Sequence, residues 1–287
     1  TDDCGNPTTH IQIITVRDTT PPTFTVPADI TIYKDATCGY DAGIGITGDV
    51  TDEADNCDTS LDATFTDVVV AGACEGEQII TRRWTLTDDC GNTTTYDQII
   101  TATDTISPEW TTLPGALDVT LECNDTDGLA AAQALFPVAT DNCDGTTSDI
   151  VKVPGLFAEG STCPQAGSYT NTWTVTDDCG NVSTVYTQTI TIVDLTAPTF
   201  TAPADITIYK DATCGFDASV GITGDVTDEA DNCDTSLDAT FTDAVVPGAC
   251  EGEEIITRTW TLTDDCGNPT THIQIITVRD TTPPTFT

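Results

Sequence analysis

The sextet Thr-Asp-Asp-Cys-Gly-Asn opens the chain at residues 1–6 and returns at 87–92, 176–181 and 263–268, which places its cysteine at Cys4, Cys90, Cys179 and Cys266. The intervals are 86, 89 and 87 residues. That period is too long for one unit of a helical solenoid or a propeller blade, and it fits a string of small domains that each carry the same turn. The chain therefore reads as a tandem array.

Residues 1–25 and 263–287 are the same 25-residue sequence. PADITIYKDATCG begins at Pro27 and again at Pro203, and DVTDEADNCDTSLDATFTD begins at Asp49 and again at Asp225, so the first and third repeats are near copies. The middle repeat keeps the frame and diverges in detail; residues 128–136 (GLAAAQALF) are the one segment read as helical. Acidic strand ends followed by proline mark the borders, at RDTTPPTF (17–24), TDTISPEW (103–110), VDLTAPTF (193–200) and RDTTPPTF (279–286). The expected division is residues 1–21 as the end of a preceding repeat, 22–107, 108–197 and 198–283 as whole repeats, and 284–287 as the start of the next. Short proline linkers restrict the angle between neighbours, so the array is expected to be an elongated rod.

Alternation predicts strands near residues 29–33, 41–46, 63–69, 79–87 and 94–102 of the first repeat. In the fourth, Ile80, Trp84 and Leu86 share a face that Arg82 interrupts, and Trp173 and Trp260 recur at the position of Trp84. The last two strands flank TDDCGN as a hairpin whose turn calls on Gly91 and Asn92 for positive φ. About seven short strands in under 90 residues around one late tryptophan indicate an all-β fold of tandem immunoglobulin-like sandwiches.

The net charge of −39, from 47 acids against eight Lys and Arg, excludes nucleic acid as a partner and gives no route into a membrane in this segment. Repeats this small need reinforcement. The thirteen cysteines supply it: four per repeat at matching offsets, without a CxxC pair, indicate disulfides in an oxidising compartment. Strand geometry sets Cys57 and Cys90 at one end of the first sandwich and Cys38 and Cys74 at the other. The expected bridges are Cys38 to Cys74, Cys57 to Cys90, Cys123 to Cys163, Cys143 to Cys179, Cys214 to Cys250 and Cys233 to Cys266; the alternative joins Cys38 to Cys57 and Cys74 to Cys90.

Carboxylates gather at the Cys57 and Cys90 end. Asp52, Glu53, Asp55 and Asp58 flank Cys57, Asp88 and Asp89 flank Cys90, and Asp18 arrives from the linker. The equivalent sets are Asp104, Asp141, Asp144, Asp177 and Asp178, then Asp194, Asp228, Glu229, Asp231, Asp264 and Asp265. Like charges at this density destabilise unless a cation joins them, and Ca²⁺ is the candidate because it accepts six to eight oxygen ligands in flexible geometry. The competing reading makes them a solvated acidic face. Catalysis is not expected: His10 and His272 are one residue in two copies of a strand, and the middle repeat has no histidine to pair with a nucleophile.

PADITIY after a proline linker (27–33), DNCD (55–58), RRWTLTDDCGN (82–92) and a last strand closed by DTISP (104–108) together resemble the HYR-like immunoglobulin-type repeats of giant Bacteroidetes surface proteins and adhesins. The resemblance covers the whole chain. It implies an extracellular, cell-surface stalk exported by the type IX system, with no catalytic residue. Together with the recurrence of equal surfaces, it points to neighbouring copies of the chain as partners in a multi-chain filament and to a surface or cell target at a tip. The alternative makes the repeats themselves glycan- or protein-binding modules, with Trp110 and Phe157 as the aromatics offered to a ligand.

Overall fold

The computed structural model describes residues 1–146, 149–160 and 163–283. Residues 284–287, expected to open a further repeat, lie outside them. Two compact units are formed: Thr1–Thr111 with Val138–Val151 and Thr174–Thr184, and Thr112–Pro137 with Lys152–Trp173 and Val185–Thr287. Residues of the second repeat contribute to both.

The first repeat builds β1 (Thr23–Thr25), β2 (Ile30–Tyr33), α1 (Ile44–Thr47), β3 (Thr51–Ala54), β4 (Thr64–Ala71), β5 (Gln78–Thr87) and β6 (Thr93–Thr103). β1 pairs with β3, and the larger sheet runs β2-β6-β5-β4, with β2 parallel to β6 and the rest antiparallel. The third repeat reproduces both sheets strand for strand. In the second, Glu109–Trp110, Ala139–Asp141 and Gly145–Thr146 form one sheet, and Val119–Glu122, Tyr186–Val193, Gly167–Val175 and Ile150–Val153 form another.

The TDDCGN turn closes β5 and β6 with Gly91 at φ 88°, whereas Asn92 takes no positive φ. Its side chain serves instead as a tie. Asn92 Nδ2 donates to Asp88 Oδ2 at 2.7 Å and to the Asp18 carbonyl at 3.2 Å, fixing the incoming linker to the turn. Asn181 and Asn268 repeat both bonds.

The strand expected over 41–46 is not formed. Residues 44–47 make the single turn α1, because Asp41 accepts the Gly43 amide and Thr47 Oγ1 bonds back to the Gly43 carbonyl. Val220–Thr223 matches it in the third repeat, so helix is not confined to the middle one, where Thr126–Gln133 carries it as expected.

Arg82 organises the core that it was expected to interrupt. β5 buries Ile80, Arg82, Trp84 and Leu86 along one face, dividing an apolar cluster of Ile32, Ile80, Ile100 and Ala102 from one of Phe24, Trp84 and Leu86. The guanidinium, 2% exposed, donates to both Asp67 oxygens at 2.8 and 2.9 Å, to Thr47 Oγ1 at 2.7 Å and to the Ala42 carbonyl at 2.7 Å. Arg258 makes the same four bonds. In the second repeat Asn171 stands there instead, and Lys152 supplies the cation through the Gln133 carbonyl and over the Trp173 ring. Removing one partner of such a pair strands the other, so Arg82→Met is expected to lower stability by about 3 kcal/mol, with Asp67→Leu in the same chain restoring much of it. Denaturant midpoints check this; a single variant as stable as the parent would contradict it.

An identical stretch takes two fates. Pro269–Arg279 is a strand that buries Gln274, Ile276 and Val278, whereas residues 7–17, the same eleven residues, form no strand and leave Ile14 75% and Val16 90% exposed. Strand formation here depends on a neighbouring sheet.

Candidate metal centres at the repeat joints

The cysteines pair across repeats. Cys38 bonds Cys143 and Cys74 bonds Cys179, with Cα separations of 4.9 and 5.1 Å, both bridges within the first unit. Cys123 bonds Cys233 and Cys163 bonds Cys266, at 6.0 and 4.6 Å, both within the second. These distances suit disulfide geometry. The bridges expected within each repeat are thereby corrected: the ends were placed properly, but the Cys38 and Cys74 end of one repeat faces the Cys57 and Cys90 type of end of the next. Cys4, Cys57, Cys90, Cys214 and Cys250 are unpaired and exposed.

Beside each joint stand three carboxylates from three elements. Asp177, in the TDDCGN turn, accepts the Asn181 amide at 2.7 Å and Asn181 Nδ2 at 2.8 Å. Asp141, in the DNC loop, accepts the amides of Cys143 and Asp144 at 2.9 and 3.1 Å. Asp104, in the linker, accepts the Ile106 amide at 3.0 Å and Asn142 Nδ2 at 3.4 Å. Each acid thus secures its own turn, and carboxylate oxygens of the three also lie within 4.8 Å of one another. Asp104 and Asp177 are 4% and 7% exposed, and Asp141 Oδ2 and Asn142 Oδ1 are buried without a hydrogen-bond partner.

In the second unit Asp194 and Asp264, each 5% exposed, come within 4.8 Å of each other and of Cys266, and Asp194 also meets Glu122, while Asp231 acts on Asp194 by its charge without joining either cluster. Asp194 Oδ2, Asp231 Oδ2 and Asn232 Oδ1 are again buried and unpartnered. Burial, followed by the charges of Asp231, Asp264 and Glu122, raises the Asp194 pKa. The sulfur atoms beside it belong to disulfides and offer no thiolate. Asp18, Asp55 and Asp88 form the matching cluster in the first repeat. Among the described residues, none of the ion pairs formed by Arg82, Arg83, Lys210, Arg258 and Arg279 reaches these acids.

The remaining expected ligands divide. Asp58 accepts the Asp89 amide at 3.1 Å, and both line a cavity of about 300 Å³ with Asp18, Asp88, Cys57 and Cys90. Asp265 donates its amide to Asp234 in the same way. Asp144 and Asp178 meet Glu75 of the preceding repeat in a further cluster, where burial and then the Glu75 hydrogen bond raise the Asp144 pKa. Asp52 and Asp228 are exposed positive-φ residues where the pairing of β3 and of its counterpart Thr227–Ala230 is irregular, and Glu53 and Glu229 accept the amides of Ala63 and Ala239; none of these four joins a cluster. Glu75 and Glu122 were missed because acids were sought at one end of the repeat, although each adjoins a cysteine of the facing end.

Ca²⁺ fits what is present. Ligand oxygens on opposite sides of the ion, each at 2.3–2.6 Å, stand roughly 5 Å apart, and the donors are carboxylate and amide oxygens. The orphaned oxygens of Asp141, Asn142, Asp194, Asp231 and Asn232 are the groups such an ion would satisfy.

No described helix is long and apolar enough to cross a membrane. No family model and no curated protein matches the chain. Among solved structures the chain is similar to Drosophila N-cadherin EC1-3 at 12% identity and TM-score 0.29, covering 89% of this chain and 99% of that one. It is similar likewise to human CDH23 EC21-23 at 11% identity and TM-score 0.34, covering 90% and 100%, and to mouse clustered PcdhgC3 EC1-3 at 11% and 0.28, covering 72% and 77%.

Proposed function

We propose that this chain is a load-bearing section of an extracellular adhesive array, in which repeats 22–107, 108–197 and 198–283 are successive immunoglobulin-like domains stapled end to end by disulfides and closed at the joints by Ca²⁺. The observation that carries this reading is that all four bridges run from one repeat to the next. A bridge within a domain stabilises that domain, whereas a bridge between domains carries tension and fixes their register. Asp104, Asp141 and Asp177 would hold one ion, and Asp194, Asp231 and Asp264 the other. Eight cysteines in disulfides and a charge of −39 support an extracellular location without nucleic-acid partners. Export by the type IX system, attachment of the array to the cell surface and a contact-making tip follow from the Bacteroidetes resemblance. For a multi-chain filament, the supporting feature is β4, an eight-residue edge strand with Val68, Val69 and Val70 exposed, together with its counterpart Thr240–Pro247.

The aromatics of the binding-module reading, Trp110 and Phe157, are both half-buried and engaged in contacts within the fold. Trp110 Nε1 donates to the Thr184 carbonyl at 2.7 Å, and Phe157 packs on Tyr169.

A single backbone cut engineered between Thr105 and Pro108 tests the load-bearing role. Both Cys38–Cys143 and Cys74–Cys179 span that cut, so the two pieces are expected to migrate together in denaturant without reductant and to separate with it. Separation without reductant would overturn the proposal.

A further inference from the structure

The second repeat departs from the first and third at one place on its sheet. Lys34 and Lys210 follow the parallel edge strand and donate their amides to the carbonyls of Thr103 and Arg279, both at 2.9 Å; in the second repeat Cys123 holds that place, donating to the Val193 carbonyl at 2.9 Å. Lys34 is 7% exposed, with Nζ 4.5 Å from the centre of the Tyr40 ring and 3.2 Å from the Cys38 carbonyl, to which it donates. Lys210 Nζ stands 5.7 Å from the Phe216 ring and donates to Glu254 Oε1 at 2.9 Å. An ammonium of the chain itself therefore fills this place in two repeats of the three.

The second repeat has a cavity of about 210 Å³ there instead. Phe157 and Tyr169, with ring centres 5.2 Å apart, form its aromatic wall, Glu122 and Asp125 are its acids, and none of the described residues lining it is basic. A second exchange makes the wall. Gly167 pairs with Ile192 as Glu254, the lysine's acceptor in the third repeat, pairs with Val278. A Cβ at Gly167 would stand 2.7 Å from Phe157 Cζ and 2.2 Å from the Ala158 carbonyl oxygen, so the missing side chain is what lets the ring lie against Tyr169. The lysine and its acceptor are both gone, while rings and acids remain in a chain of net charge −39.

We infer that this cavity binds the primary alkylammonium group of an outside ligand, in the place that a lysine side chain fills in the first and third repeats. Aromatic faces and carboxylates both attract an ammonium, and an alkyl stem covers apolar wall as a snorkelling lysine does. At about 30 Å³ of liquid volume for a water-sized group, the space admits an amine of several heavy atoms. Free amines and the lysine side chains of a peptide share this chemistry. The inference is independent of calcium at the joints.

The test is an NMR titration of the full oxidised chain, in chelator so that Asp194 and its neighbours hold no ion. The probes are pentylammonium, its neutral analogue pentanol, and Nα-acetyl-lysine methylamide. Saturable shifts of the Phe157 and Tyr169 ring signals are expected with pentylammonium, with affinity about tenfold above that of pentanol. Asp125 accepts the Gly128 amide at 2.8 Å and caps the helix Thr126–Gln133, a task Asn performs equally well. Asp125→Asn is therefore expected to keep the fold and to weaken pentylammonium binding about threefold, leaving pentanol unchanged. Phe157→Leu is expected to weaken it about tenfold. Binding of the lysine derivative beside pentylammonium identifies a peptide lysine as the source, and its exclusion identifies a free amine. Equal affinity for amine and alcohol, or ring signals that move with no probe while the spectrum stays dispersed, would overturn the inference.

Discussion

Stretched from its two ends with its disulfides intact, the chain is expected to stop lengthening near 280 Å, and after reduction to reach about 1,000 Å, taking about 3.5 Å per extended residue. The reason is the stagger of the bridges. Force enters through residues 1–38, crosses from Cys38 to Cys143, follows the backbone to Cys163, crosses to Cys266 and leaves through the last residues. Roughly 80 of the 287 residues lie on that path, and everything else is shielded from tension. Bridges inside each repeat would leave the linkers and more than half of the backbone in the path. Single-molecule extension with and without reductant distinguishes the two. The same bridges enclose about a hundred residues each, a loop length for which chain entropy gives about 5 kcal/mol for one isolated bridge, with less from the second at a joint because the first has already shortened its loop.

Calcium is expected to raise the unfolding midpoint, and a chelator to reverse it. At a free concentration a hundredfold above the dissociation constant each site adds about 2.7 kcal/mol, and two sites lie at the joints closed within the chain. Asp104→Asn and Asp177→Asn are expected to remove most of the gain at the first joint, whereas Asp52→Asn, outside every cluster, should leave it unchanged. The pH dependence has a fixed sign. Asp194 and Asp144 have raised pKa values in the folded chain, so folding binds their protons more tightly than unfolding does. Without calcium, stability is therefore favoured at low pH by these two groups, and that contribution is lost as pH rises through their unfolded and then their raised folded values. Calcium ligated by the ionised Asp194 cancels its part of this loss. Calorimetry across pH, with calcium and with chelator, reads both effects. A midpoint indifferent to calcium would remove the ion from the joints.

Much of the fold was legible because local chemistry decides it. The TDDCGN hairpin, the tryptophan of β5 and the helix of the middle repeat follow from turn residues and alternation. Arg82 was misjudged for a physical reason: a charge on an apolar face reads as a break unless its acceptors are known, and Asp67, Thr47 and Ala42 come from distant segments. Asp55 and Asp88 were legible by their place two residues before a cysteine and Asp18 by its place in the incoming linker, whereas Asp52 and Glu53, five and four residues before Cys57, lie in β3 where the irregular pairing at Asp52 carries them away from the cluster. The disulfides were the least legible feature. Cys38 precedes Cys57 by 19 positions and Cys143 by 105, and a repeated sequence defines a partner only up to a whole period. Pairing by the alternative pattern, Cys38 type with Cys57 type, is what forms, shifted one repeat along the chain.

Mapping the disulfides of the chain after digestion at aspartate without reductant tests that shift most directly. The account predicts that the peptide bearing Cys38 is recovered bonded to the one bearing Cys143, and the Cys74 peptide to that of Cys179. Recovery of Cys38 bonded to Cys74, or to Cys57, would contradict it.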